Sequence, residues 1–179
     1  MHPRIPQQAG RDQGVRRDDN DVPLGAELAA VVAGARRRAV RDRDRHIDTA
    51  HLLHSLLESD PGVRAVFEAA QVARLLGYLV QRSIGYGLRW QTAVEESGAL
   101  PGAGPAEGCS PLAALALTRT EERAGRHGRT ARGVDLLAAL VADPEARAVQ
   151  VLEHAGIDAR ELSARLAREP SGDGASSSR

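Results

Sequence analysis

One short pattern occurs twice in this chain and limits its fold more than any other feature. His51-Leu52-Leu53-His54-Ser55-Leu56-Leu57 aligns with Asp135-Leu136-Leu137-Ala138-Ala139-Leu140-Val141 at an offset of 84. At the same offset Leu28 meets Leu112 and Val32 meets Ala116. Just downstream, Asp60-Pro61 meets Asp143-Pro144, and Arg64-Ala65-Val66 meets Arg147-Ala148-Val149. Phe67-Glu68 then meets Leu152-Glu153 after a two-residue shift. A period this long predicts a duplicated domain half, because solenoid units are usually shorter.

Each copy reads as a long helix, a polar loop, a short Leu-rich helix, an Asp-Pro step and two further helices. Leu28, Val31, Val32 and Ala35 keep the spacing of one helix face, and Leu112, Leu115, Ala116 and Arg119 repeat it until the polar last place. Asp60-Pro61, Ser110-Pro111 and Asp143-Pro144 each set a capping residue before a Pro at the first helical position. Asp48 and Asp158 are caps of the same kind, and Gly156 marks a helix end. Only 2% of the residues are aromatic, so Ala, Leu and Val must build the core, and Ala and Leu are the strongest helix formers. The expected fold is all-α: two tandem four-helix repeats related by a pseudo-twofold.

The expected organisation is a disordered arm at 1–21, a first repeat at 22–82, a loose Gly/Pro-rich linker at 83–109, a second repeat at 110–168 and a disordered tail at 169–179. Charge narrows the function. The chain has 24 basic and 24 acidic residues, which gives no bulk attraction to nucleic acid or an anionic membrane. Every basic residue is Arg, so a Walker A lysine and Schiff-base chemistry are both excluded. A single cysteine, Cys109, rules out an internal disulfide. The first residues hold no signal-like apolar run and no stretch is long enough to span a bilayer, so a cytoplasmic location is expected.

The order of these features resembles the Clp amino-terminal (Clp repeat) domain. That family opens its short helix with Ile-Gly-Thr-Glu-His-Leu-Leu. Here the first copy has Ile47-Asp48-Thr49-Ala50-His51-Leu52-Leu53 and the second has Ala131-Arg132-Gly133-Val134-Asp135-Leu136-Leu137. The second copy closes on Leu152-Glu153-His154-Ala155-Gly156-Ile157-Asp158, similar to the family's Leu-x-x-x-Gly-Val-Asp. The resemblance spans about residues 22–168. It implies a module that binds proteins or peptides without the ATPase modules of the Clp unfoldases: an adaptor, decoy or modulator whose partner is a Clp ATPase, its adaptors or its clients. The motif Glu is Ala50 in one copy and Val134 in the other, and Asp135 stands where the family has His. Some members use acids near here for the guanidinium of phosphoarginine. The loss of those acids implies a preference for an apolar peptide or a folded partner. Partner-binding residues are expected at Asp48, Ala50, His51, Val134, Asp135, Tyr86 and Trp90.

Sharper readings have simpler rivals. His51, His54 and Glu58 have helical spacing that suits a metal, but the simpler reading packs His51 in a helix junction and leaves His54 on the surface. Neither a metal nor another cofactor is expected. Cys109 lacks a base placed by sequence and reads as an unpaired loop thiol rather than a nucleophile. Ser110 reads as a helix cap. No enzyme activity is expected. The run from Arg36 to Arg45 carries +4 over residues 35–46. It supports the alternative of a small DNA-associated regulator, although a solvated helix end explains it as well, and no specific nucleic acid is expected.

Overall fold

The capping signals at Asp48, Asp60, Ser110 and Asp158 act where the sequence puts them, and a helix follows each. A computed structural model describes residues 24–83, 95 and 104–168. The expected arm, the expected tail and most of the linker, with Tyr86 and Trp90, lie outside the described residues. The described part is all-α. Its eight helices are α1 (Ala26–Arg41), α2 (Thr49–Ser59), α3 (Pro61–Arg64), α4 (Ala69–Ser83), α5 (Pro111–Arg126), α6 (Gly133–Leu140), α7 (Arg147–His154) and α8 (Ala159–Arg168). No strand occurs among the described residues beyond one isolated parallel bridge, Ile47 to Cys109.

α2 is the centre of the molecule. Every residue from Thr49 to Leu57 is buried, as expected of a helix surrounded by others. It packs against α1, α3, α4, α5, α6 and α7. Leu52, Leu53 and Leu56, with Leu136, Leu137 and Leu140 of α6, have essentially no exposed surface. α1 reaches α2 closely at Gly34, where an added Cβ would sit 2.3 Å from Ser55 Oγ. Ser55 in turn donates to the Val31 carbonyl at 2.7 Å.

Several expectations are corrected here. α5 does not bury the face read from Leu112, Leu115, Ala116 and Arg119. Ala113, Ala116, Leu117, Thr120 and Ala124 are buried, Leu115 is 39% exposed and Arg119 is exposed. These buried positions repeat the spacing of Leu28, Val31, Val32, Ala35 and Ala39 in α1, so the two long helices correspond one residue further apart than the Leu-rich helices do. The physical reason is the loop length before the short helix: residues 42–48 separate α1 from α2, but only 127–132 separate α5 from α6. Thr120 tolerates burial because its hydroxyl donates to the Ala116 carbonyl at 2.7 Å.

Asp143-Pro144 opens a turn rather than a helix. The Asp143 carboxylate accepts the Glu145 N–H, its carbonyl accepts that of Ala146, and α7 begins three residues after Pro144. Phe67 lies in the turn before α4, whereas Leu152 lies inside α7, so that pair is not at equivalent places. The α7 end agrees with the sequence. Gly156 has φ +78, the Ile157 N–H returns to the Leu152 carbonyl at 2.9 Å and the Gly156 N–H to Glu153 at 3.0 Å, which together form a Schellman end.

Candidate functional site

Three helix N-termini meet at one buried carboxylate. α7 has no side-chain cap of its own, since its N-cap is Ala146. Its first N–H, from Arg147, donates to Glu95 Oε2 at 2.6 Å, and its second, from Ala148, donates to Thr49 Oγ1 at 3.0 Å. The first N–H of α2, from Thr49, donates to Glu95 Oε1 at 2.8 Å, and the Thr49 hydroxyl donates to Oε2 at 2.6 Å. Ser110 caps α5 by accepting the Ala113 N–H, and its hydroxyl donates to Oε1 at 2.8 Å. Glu95 is fully buried. Its negative charge thus faces the positive ends of α2 and α7 and supplies acceptors that those helices lack. The loops beneath are joined by the Ile47–Cys109 bridge, with Ile47 N–H to Gly108 O at 2.9 Å and Ser110 N–H to Ile47 O at 2.8 Å.

Beside it lies an Asp–His–Arg network. Asp48 caps α2 by accepting the His51 N–H at 2.8 Å. Its other oxygen accepts Arg82 at 2.7 Å and Arg147 at 2.9 Å. Burial would raise the Asp48 carboxyl, but the His51 hydrogen bonds and the nearby His51 and Arg82 charges hold it far below the usual range. His51 Nδ1 is 3.0 Å from both the backbone N and Oδ1 of Asp48. Neutral, it accepts from the amide; protonated, it donates to the carboxylate. Burial alone would lower its pKa, yet Asp44 and Asp48 raise it to about 9.

α6 starts in the same manner with different chemistry. Asp135, at the position of His51, accepts the Arg132 N–H at 2.8 Å, as His51 Nδ1 accepts that of Asp48. Arg129 grips it with two bonds, at 2.7 and 2.8 Å, and Arg123 approaches at 3.2 Å. Burial raises this carboxyl, but Arg129 and the Arg132 N–H outweigh it and lower the pKa.

The residues expected to touch a partner are therefore mostly internal. Asp48, Ala50, His51 and Asp135 are buried, with both carboxylates and His51 Nδ1 engaged inside the fold; among the described candidates only Val134 is partly exposed. The reason is the burial of α2 on all sides and of most of α6, which carries their first turns inside with them. His54 is also buried rather than a surface residue. Its Nε2 lies 3.3 Å from Glu58 without a hydrogen bond, and Glu58 pairs with Arg38. His51 instead faces Asp42 and Asp44, so the two histidines serve different clusters. Cys109 is buried, and burial pushes its thiol up to about 11 despite Arg36, which leaves it protonated near neutrality. Within the basic run, Arg36 donates to the Glu107 carbonyl and Arg38 is paired.

Sequence reasoning missed Glu95. The usable signal was indirect: a helix starting at Arg147 behind Ala146, which cannot cap it, needs an acceptor from elsewhere in the chain.

A groove of about 710 Å³ lies between the start of α1 and the end of α5. Leu24, Gly25, Ala124 and Ala131 give it an apolar wall, and Glu121 and Glu122 line it as well. No helix among the described residues is long and apolar enough to cross a membrane. No protein-family model matches the chain, and no curated protein matches it.

Proposed function

We propose that the chain is a protein-binding module of the Clp amino-terminal type, built from two four-helix repeats, which works in the cytoplasm as an adaptor, decoy or modulator of a Clp ATPase. The observation that carries this reading is the matched opening of the two Leu-rich helices. Both bury the leucines of the shared pattern, and in both the side chain of His51 or Asp135 turns back to within hydrogen-bond distance of the backbone N of its N-cap. The sixteen-residue helices before them bury the same spacing. That agreement of local structure with an internal sequence repeat supports duplication over chance similarity.

The groove between α1 and α5 is the surface we assign to the partner. Its apolar wall and the Glu122 carboxylate suit an extended segment that sets an Arg or Lys beside apolar residues. Phosphoarginine is a poorer fit, because Ala50 is fully buried and Val134 offers no charge.

The test titrates the purified protein with a purified Clp ATPase and, separately, with an unfolded client. It also follows the rate at which the assembled protease degrades that client. A saturable complex that alters the rate and weakens in Glu122→Arg agrees with the proposal. Absence of a complex with either partner, together with an unchanged rate, overturns it. A sequence-selective DNA complex at physiological salt would replace it with the regulator reading, since a few Arg contacts alone give only salt-sensitive binding.

A further inference from the structure

α1 ends in a Schellman turn whose left-handed residue is Arg43, with φ 59. The turn brings the side chains on either side of it, Asp42 and Asp44, to the same imidazole. Asp44 Oδ2 lies 2.8 Å from His51 Nε2 and Asp42 Oδ2 lies 3.7 Å from it. One donor atom from each of the three residues falls within 4.8 Å of the others. His51 is 1% exposed, and its Nε2 is buried without a hydrogen bond of acceptable geometry in spite of these neighbours. On the far side of the ring, Nδ1 is within reach of Asp48 Oδ1 at 3.0 Å. Asp42 is further held by Ser83, whose hydroxyl donates to Oδ1 at 2.5 Å and leaves Oδ2 toward the ring. Asp44 is 38% exposed, which opens the cluster to solvent.

We infer that Asp42, Asp44 and His51 form a binding site for a first-row divalent metal ion. A donor set of one imidazole nitrogen and two carboxylate oxygens suits Zn²⁺, Co²⁺ or Mn²⁺ better than Mg²⁺ or Ca²⁺, which favour oxygen alone. Ligand bonds of about 2.0–2.2 Å place neighbouring donors roughly 3 Å apart or somewhat more. Asp44 therefore needs to withdraw by only a few tenths of an ångström, and Asp42 needs to close slightly. The ion would displace the Nε2 proton of His51 to solvent, and Asp48 takes the role of the orienting carboxylate behind a ligating histidine, accepting the hydrogen bond of Nδ1–H. Arg82 is the opposing charge: it lies 3.6 Å from Asp44 Oδ2, but its shorter contact is with Asp48 at 2.7 Å. The ion would pin the end of α1 to the start of α2, the central helix.

Calorimetric titration of the full chain with Zn²⁺, and visible absorption with Co²⁺ as the probe, test this directly. The expected result is one equivalent bound in the micromolar range, a raised unfolding temperature, and affinity at least about tenfold weaker in Asp44→Ala. That side chain is partly exposed, so the variant should keep its fold. A measurement on the unaltered protein gives a second readout: substoichiometric Mn²⁺ should broaden the His51 ring resonances ahead of those of the other five of its six histidines. Failure to bind one saturable equivalent, equal affinity in Asp44→Ala, or first broadening at a different histidine overturns the inference.

Discussion

Replacing Glu95 should damage the fold more than any surface carboxylate could. In Glu95→Ala the Thr49 and Arg147 amides lose their acceptor, as do the Thr49 and Ser110 hydroxyls. The hydroxyls can rotate toward other acceptors; the two amides are fixed by α2 and α7. A buried donor without a partner costs about 1–3 kcal/mol, so the pair alone accounts for roughly 2–6 kcal/mol. Part of this is returned, because the folded chain no longer has to bury a carboxylate. We expect a net loss of about 3–5 kcal/mol, a large share of a typical stability of ~5–15 kcal/mol. Glu95→Gln keeps the Oε1 contacts but turns an NH₂ toward the Arg147 amide, and should lose about half as much. Urea unfolding followed by circular dichroism gives the midpoint shift at constant slope. Amide exchange should quicken at Arg147 and Ala148 before it does in α8. A loss below about 1 kcal/mol in Glu95→Ala, or equal losses in the two variants, would refute the shared-cap argument.

Leu53→Ala and Leu137→Ala each remove a fully buried side chain and should cost about 2–5 kcal/mol in the same unfolding assay, whereas Leu115→Ala should cost far less. Arg43→Gly relieves a left-handed non-glycine residue and should stabilise by about 0.5–1 kcal/mol, which a thermal scan would detect; the corresponding place after α5 already holds Gly128 at φ +62. Burial and the Arg38 charge lower His54 to about 4, below its ordinary value of 6.5. The unfolded state therefore takes up a proton first as the solution is acidified. Stability due to this group is complete above about pH 6.5 and is lost as the pH drops through about 4. His51, raised to about 9, contributes its slope between about pH 6.5 and 9, with the opposite sign, so the decline below pH 6 is free of it. Midpoints measured from pH 7 to 4 should show a shallower decline in His54→Gln.

Much of the fold was legible because it is written locally. Asp48, Asp60 and Ser110 satisfy N–H groups two or three residues away, so neighbouring residues alone reveal them. The leucines of the repeated pattern announce burial by their spacing. The phase of α5 was less legible. An Ala-rich helix with Leu112, Leu115 and Leu117 offers two plausible apolar faces, and local periodicity does not choose between them. The choice follows from the loop to α6, which is one residue shorter than its counterpart.

The sequence by itself determined the all-α class, the positions of most helix starts and the residues of the central leucine core, because propensity, capping and periodicity act over a few residues. Only the tertiary structure decided what the polar residues do. Glu95 lies 46 residues from Thr49 and 52 from Arg147, yet it caps both of their helices. Asp48 lies 99 residues from Arg147. Asp42 and Asp44 look like interruptions of a basic run until the turn at Arg43 sets them against His51. Buried charges must find partners wherever the packed helices bring one within hydrogen-bond reach, and that proximity is a property of the assembled core rather than of any stretch of chain.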